Sequence, residues 1–317
     1  MTGCSILIPC FNAANFITST LASVVKNITN EDEIVIVYDH SQDLSFEIAR
    51  QFLSDKGVNY QLVLNPNRGG CSARNHALFL ARGEWVQWLD ADDILGSGKI
   101  MKHRMKLQKH RKSIVICPFI PFIDTPLTGT IKENRNWDCS EIMSNADWLA
   151  SERMTIPACW MGRKELFEKA GPWNTHLKVN QDGEYFARVL SEAEFVIFDA
   201  EVSVWYRRGV SESVSHFTPE KAESLFSSID SIRDIALALE DSPRMRQMLA
   251  NKYQYAIYTA YPHSPELISA AQKKLKSLPK PTIDNQNAVS GISKVFNKTF
   301  GWKALTQARM LRSRFTS

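Results

Sequence analysis

Short apolar runs alternate with amphipathic stripes over the first hundred residues. Ser5-Ile6-Leu7-Ile8 is a continuous apolar run closed by Pro9, the mark of a buried strand. Asn15 is placed to cap a helix to about Lys26, with Phe16, Ile17, Leu21, Val24 and Val25 at helical spacing. Ile34 to Val37 is a second β-branched strand, followed by a helix from about Ser45. Tyr60 to Leu64, a helix over Cys71 to Ala81, a break at Gly83 and a strand over Trp85 to Leu89 continue the alternation. This order predicts an α/β fold with a mostly parallel sheet and helices on its faces. Ligands of such sheets bind at the carboxyl ends of strands, here Pro9–Asn12, Asp39–Asp43, Asn65–Gly70 and Asp90–Asp93.

Beyond Asp93 the pattern loosens. Lys99 to Lys112 holds seven Lys/Arg and no acid, and reads as a helix with a solvated basic face. Ile114–Ile116 is a further strand, and the Pro- and polar-rich stretch 118–136 reads as a long loop over the site. Strands at Ala158–Met161, Phe195–Phe198 and Val202–Tyr206 are expected to complete the sheet, with helices at Lys164–Lys169 and Gln181–Ser191. From Pro219 onward the pattern is helical, so the division expected is 1–215 for the α/β domain and 216–317 for a helical region.

Composition changes this picture little. With 317 residues, 44% hydrophobic and a formal net charge of +4, the chain reads as an ordinary globular protein with no bias toward nucleic acid. Its six cysteines form no CxxC pair and sit mostly in apolar runs, as reduced core thiols of a cytoplasmic protein do. No apolar stretch approaches the ~18 residues of a membrane span.

Chemistry concentrates at the strand ends. Asp90, Asp92 and Asp93 crowd four positions behind the strand of Trp88. Carboxylates this close raise one another's pKa unless a cation lies among them, and Mg²⁺ or Mn²⁺ takes one or two carboxylates plus phosphate oxygens. Asp90 and Asp92 alternate, so an extended segment turns both to one side, whereas Asp93 reads as a cap for the next helix. Asp39 offers an acceptor to a nucleobase or ribose. Arg68-Gly69-Gly70 leads into a helix carrying Arg74, and both guanidiniums and helix N-termini favour phosphate. No P-loop and no GxGxxG is present. Arg207 and Arg208 end a strand, where they reach the diphosphate or form a solvated turn. His76 reads as packed or surface, His103 and His110 as solvated, and His216 as a minor candidate metal ligand.

Taken together, these segments resemble family 2 glycosyltransferases of the GT-A fold. The likeness is carried by Ser5–Asn12, Ile34–Asp43, Asn67–Asn75, Ala81–Asp93, Gly171-Pro172-Trp173-Asn174 and Gln181-Asp182-Gly183-Glu184, over roughly residues 3–210. The resemblance implies a nucleobase pocket of Pro9, Phe11, Asn12 and Asp39, with Asp90 near the ribose and metal. Asp92 would hold the metal on the diphosphate and Asp182 would act as general base in an inverting displacement. A helix start at Gln181 favours the ionised form of Asp182; a plain helix cap is the alternative for that residue. Two departures stand out: Tyr38-Asp39-His40-Ser41 replaces the common Asp-Asp-Gly-Ser, and Gln181 stands where an acid often precedes the base. No Gln-x-x-Arg-Trp motif follows, so a single-addition enzyme is expected, acting in polysaccharide or glycolipid assembly on a glycan or glycolipid acceptor. A nucleotide-sugar-binding or nucleotidyltransferase-like protein without transfer is the second reading. In the stretch Ile292–Phe315, six Lys/Arg interleave with Val295, Phe296, Phe300, Trp302, Leu305, Leu311 and Phe315. Two readings stay open there: a basic amphipathic helix on an anionic membrane, or a helix packed on the catalytic domain.

Overall fold

The apolar runs form the mostly parallel sheet that their alternation with helices predicts. In the computed structural model, residues 3–125, 141–153, 155–209, 218–284 and 301–307 are described. The strands are β1 (Cys4–Cys10), β2 (Glu33–Tyr38), β3 (Asn59–Leu64), β4 (Trp85–Trp88), β5 (Ile94–Leu95) and β6 (Ser113–Ile116). They continue with β7 (Phe119–Phe122), β8 (Ile142–Ser144), β9 (Met161–Arg163), β10 (Phe195–Phe198) and β11 (Val204–Arg207). The helices are α1 (Ile17–Val25), α2 (Ser45–Ser54), α3 (Gly70–Leu80), α4 (Lys99–Lys109), α5 (Asn145–Ala150), α6 (Lys164–Lys169) and α7 (Gln181–Glu192). Helices α8 (Pro219–Leu239), α9 (Pro243–Ala260) and α10 (Pro265–Leu275) follow.

Eight strands form one sheet in the order β3-β2-β1-β4-β9-β6-β10-β8. The pairings of β1 with β2 and β4, of β2 with β3 and of β6 with β10 are parallel; β9 and β8 run against their neighbours. Every residue of β1 except Pro9 is buried, which is why the strand reads as a continuous apolar run: helices cover both faces of such a sheet. At the edge, β3 is half-exposed and its sequence is correspondingly mixed.

Chain contacts divide the molecule into two compact units: residues 1–176 with 181–213, and 177–180 with 214–317. In the second unit, Thr218 and Ser242 accept bonds from the backbone N–H groups of Lys221 and Met245, each just ahead of a Pro at the first helical turn. Helices α8 to α10 close on Leu225, Phe226, Ile229, Tyr253, Ile257 and Ile268. The segment 177–180 joins this unit because Ser224 Oγ accepts the N–H groups of Lys178 and Val179 at 2.7 and 3.0 Å. Within 301–307, Trp302 packs on Tyr258 and Tyr261, with ring centroids 4.9 and 5.0 Å apart. The rest of the 292–315 stretch lies outside the described residues, as do His216, Cys139 and residues 126–140.

Five expectations need correction. Asn15 does not cap α1, which begins at Ile17 behind Phe16 without a side-chain cap; instead the loop before it is tied by its backbone to the side chains of Asp43 and Ser45. The stretch 118–136 is not all loop, because Phe119–Phe122 form β7. Ala158 and Cys159 belong to a short 3₁₀ turn, and the strand starts only at Met161. Strand β11 leaves the main sheet and lies between β5 and β7 in a separate three-stranded sheet. Most instructive is α4, whose basic face is not all solvated: Lys99 and His103 are fully buried. Lys99 Nζ donates to Gln87 Oε1 and lies 3.4 Å from His103 Nδ1, while His103 Nε2 lies 3.9 Å from Asp199 Oδ2. Burial and the Lys99 charge hold His103 well below the ordinary histidine range. Lys102 and Lys106 face outward and pair with Glu201 and Glu141.

The sheet's centre is an aromatic box. Trp88 meets Phe167, Trp173 and Tyr185 edge-on at 5.9, 5.4 and 5.9 Å, and Trp173 stacks on Tyr185 at 4.0 Å. Trp88 is fully buried. Trp88→Ala is therefore expected to cost about 3–5 kcal/mol, read as a lower denaturation midpoint at an unchanged slope.

Candidate functional site

A cleft of about 270 Å³ opens at the carboxyl ends of β1, β2 and β4. It is lined by Pro9, Cys10, Phe11, Asn12, Ala13 and Phe16, by Asp39, Gly70 and Arg74, and by Asp90, Ala91 and Asp92. The topology alone brings these distant segments together, since β1 lies between β2 and β4 and their ends share one edge.

The β1 end is a shaped wall. Phe11 is 60% exposed, a large aromatic face held open at the cleft. Asn12 adopts a positive φ of 46°, and its carboxamide oxygen accepts the Gln42 N–H at 3.0 Å while its own N–H donates to Ser41 Oγ at 2.9 Å. Asp39 is buried and already partly committed. Asn65 Nδ2 donates to its Oδ1 at 2.7 Å, and the Gly69 N–H lies 3.0 Å from both oxygens. Gly69 has φ 114°, a conformation that suits only glycine, so the Gly69-Gly70 pair serves Asp39 as well as the start of α3. Sequence reading missed this clamp; a buried Asn directly behind a strand was its signal. Arg68, expected to bind the donor, is exposed and does not line the cleft.

Arg74 does face it. Its Nη2 donates to Asp90 Oδ1 at 2.7 Å and the guanidinium lies 4.8 Å from the centre of the Trp173 ring. Burial opposes the charge, but Asp90 and Asp182 hold the guanidinium's pKa above its ordinary value. The next residue completes the fixture: Asn75 Nδ2 donates to the Trp173 carbonyl at 3.0 Å and Asn75 Oδ1 accepts the Trp173 N–H at 2.7 Å. Trp173 in turn stacks on Tyr185 of α7, the helix whose second residue is Asp182. So the charge of a residue 92 positions away from Asp90 acts on the same guanidinium. Burial, opposed by Arg74 and reinforced by Asp90, pushes the Asp182 carboxyl up to about 6. Asp182 is largely buried and accepts no hydrogen bond among the described residues.

The carboxylate turn shows a division of labour. Thr20 Oγ1 donates to the Ala91 carbonyl at 2.9 Å, pinning the turn between its two cleft-lining aspartates. Asp92 is pushed up to about 6 by burial and by Asp90. Asp93 is not a helix cap, since α4 begins at Lys99 behind Gly98. It is fully buried, its Oδ1 accepts the Arg207 N–H at 3.0 Å, and its Oδ2 has no partner. Burial and the two neighbouring carboxylates hold it well above the carboxylate range. Arg207 is neither in the cleft nor in a solvated turn: it is buried against backbone carbonyls.

Asp92 is thus a desolvated carboxylate at the cleft with no side chain donating to it, and Asp90 has only one oxygen paired. A hard divalent cation is the partner that relieves this arrangement, so the residues fit Mn²⁺ or Mg²⁺. No group of three or more His, Cys, Asp or Glu among the described residues could hold a metal by itself. Such an ion would need oxygens from a bound phosphate.

Comparison with known proteins gives the family and the fold. The glycosyl transferase family 2 model matches residues 5–171, more than half of the chain. The uncharacterized glycosyltransferase EpsJ of Bacillus subtilis is 26% identical over 198 residues, 61% of this chain and 57% of its own length. The poly(ribitol-phosphate) beta-glucosyltransferase of Bacillus spizizenii is 24% identical over 222 residues, 68% of this chain and 34% of its own. The chain therefore spans less than two thirds of either relative. Among solved structures, residues 1–349 of TarS from S. aureus in complex with UDP-GlcNAc superpose with a TM-score of 0.67 at 18% identity. The match covers 88% of this chain and 82% of that one. The mannosyltransferase PcManGT from Pyrobaculum calidifontis, in complex with GDP-Man and Mn²⁺, gives 0.55 at 16% identity, over 97% and 86% of the two chains. These likenesses show a GT-A-like fold, and by the match over residues 5–171 the chain belongs to glycosyl transferase family 2.

Proposed function

We propose that this chain transfers a sugar from a nucleotide-diphosphate sugar to an acceptor hydroxyl, with inversion and one sugar per encounter. The observation that carries the reading is a cleft at the strand ends lined by Phe11, Asp39, Asp90 and Asp92, whose Arg74 pairs with Asp90 and also feels the charge of Asp182. Pro9, Phe11 and Asn12 form a wall for the nucleobase, and Asp39, held by Asn65 and Gly69, presents an acceptor to it. Asp90 and Asp92 would hold a Mn²⁺ or Mg²⁺ ion, which when bound neutralises charge on the departing diphosphate. Asp182 accepts the proton of the acceptor hydroxyl as its oxygen bonds to the anomeric carbon and the bond to the diphosphate breaks. Ionisation near pH 6 makes Asp182 a stronger base than an ordinary carboxylate while leaving it charged at neutral pH.

Support for this donor class comes from the nucleotide-sugar complexes of TarS and PcManGT. A glycan or glycolipid acceptor is in line with the ribitol-phosphate polymer glucosylated by the Bacillus spizizenii relative. No helix among the described residues is long and apolar enough to cross a membrane. Calorimetric titration of UDP, GDP and their sugar derivatives, with Mn²⁺ and with EDTA, tests the reading. One nucleotide should bind, and chelation should weaken it. Failure of every member to bind folded protein would return the choice to a protein without transfer activity.

A further inference from the structure

Arg207 ends β11 and is 8% exposed. A buried arginine is ordinarily matched with a carboxylate, because an unpaired buried charge is costly. Here the fork is spent on main-chain oxygens instead. Nε donates to the Asp92 carbonyl at 3.1 Å, and Nη1 donates to the carbonyls of Ile123 and Asp124 at 3.1 and 3.0 Å. Its backbone N–H holds Asp93 Oδ1. The guanidinium carbon lies 4.7 Å from the Phe16 ring centre and 4.4 Å from that of Phe122. Three segments meet on one side chain: the carboxylate turn, the end of β7, and the residue before α1, which itself lines the cleft.

From this geometry, and resting on the transferase reading, we infer that Arg207 is a positioning residue: by fixing the Asp92 carbonyl it sets the direction in which the Asp92 carboxylate faces the cleft. A carbonyl's orientation constrains the backbone dihedrals on either side of it and so biases the direction of the side chain. Thr20 on the Ala91 carbonyl, the Asp93 N–H on the Asp90 carbonyl and the Arg207 N–H on Asp93 hold the turn on either side, and the Nε bond is what orients the Asp92 carbonyl between them. Lysine does not replace the fork, since one ammonium on a flexible stem lacks the planar donors and the stacking face. Arg207 does not line the cleft, so its effect on a bound nucleotide runs through Asp92.

The test is calorimetric binding of the nucleoside diphosphate that the wild-type chain prefers, measured in Mn²⁺ titrations and in EDTA, on wild type and Arg207→Lys. Near-UV circular dichroism and thermal midpoint serve as the fold check. Displaced outer partners of metal ligands typically cost 10–100-fold in metal affinity. Arg207→Lys should therefore need about tenfold or more Mn²⁺ for half-maximal enhancement, with EDTA-state affinity unchanged. Equal weakening in EDTA would show direct phosphate contact and overturn the proposal, as would an unchanged Mn²⁺ requirement in folded protein. Should Arg207→Lys fail to fold, Arg207→Gln, which keeps an N–H donor and carries no charge, is read the same way. Absence of any nucleotide binding in the wild type would instead count against the transferase reading itself.

Discussion

Asp182→Asn is expected to lower turnover about 10²–10⁴-fold, the usual worth of a general base, while leaving Mn²⁺-dependent nucleotide binding within about twofold. The amide keeps the shape of the carboxylate but accepts no proton. The pH profile carries independent information, because burial has moved this carboxyl up to about 6. Only the ionised form is a base, so the rate should be flat above that value and fall tenfold per unit below it. Stability moves the other way. A carboxyl whose folded pKa is raised stabilises the fold while protonated, and that contribution is lost as pH rises through about 6. Arg74 holds the value down, so Arg74→Gln should shift the acid limb upward. A wild-type rate with no acid limb between pH 5 and 7, or full activity in Asp182→Asn, would remove Asp182 from the chemistry.

Asp92→Asn should abolish the Mn²⁺ enhancement of nucleotide binding and lower turnover at least about a hundredfold, in the range seen when one group stabilising developing charge is removed. Its carboxylate is desolvated and faces Asp90, so neutralising it relieves repulsion in the free protein. The variant should therefore be no less stable than wild type, and loss of binding without loss of stability separates a ligand role from a structural one. Asp93 offers the contrast. It lies at the same turn but is fully buried, held by the Arg207 N–H and kept well above the carboxylate range. Asp93→Asn should change the metal response far less than Asp92→Asn. A Mn²⁺ response equal to wild type in Asp92→Asn would place the ion elsewhere.

Much of this could be read in advance because local pattern and burial coincide in this type of sheet. Strands β1, β2 and β4 are covered on both faces, so their sequences are continuous apolar runs, and the loops behind them must carry the polar chemistry. That is why Pro9, Phe11, Asn12, Asp39, Asp90 and Asp92 could be gathered before any coordinate was known, and all six line one cleft. Arg68 and Arg74 looked equivalent in sequence. One sits exposed ahead of the Gly69-Gly70 turn, while the other is carried by the N-terminal half of α3 onto Asp90.

What tertiary structure alone decided are the pairings whose partners lie far apart and leave no periodic trace. Asn75 on the Trp173 backbone, Arg74 on Asp90, and Arg207 on the Asp92 carbonyl span 98, 16 and 115 positions. The burial of Lys99 and His103 is of the same kind. A helix's charge pattern tells which residues share a face, but how deeply that face sinks is set by the cavity its neighbours leave. Here Gln87 accepts from the Lys99 ammonium deep in the protein, and His103 sits against that ammonium. The sequence by itself determined the succession of strands and helices, the cleft's walls and the acidic turn, because those follow from burial and from the strand and helix periods. Only the folded chain decided which carboxylates open on the cleft and which one is sealed in the interior, because those distinctions depend on desolvation and on neighbours that the local sequence does not contain.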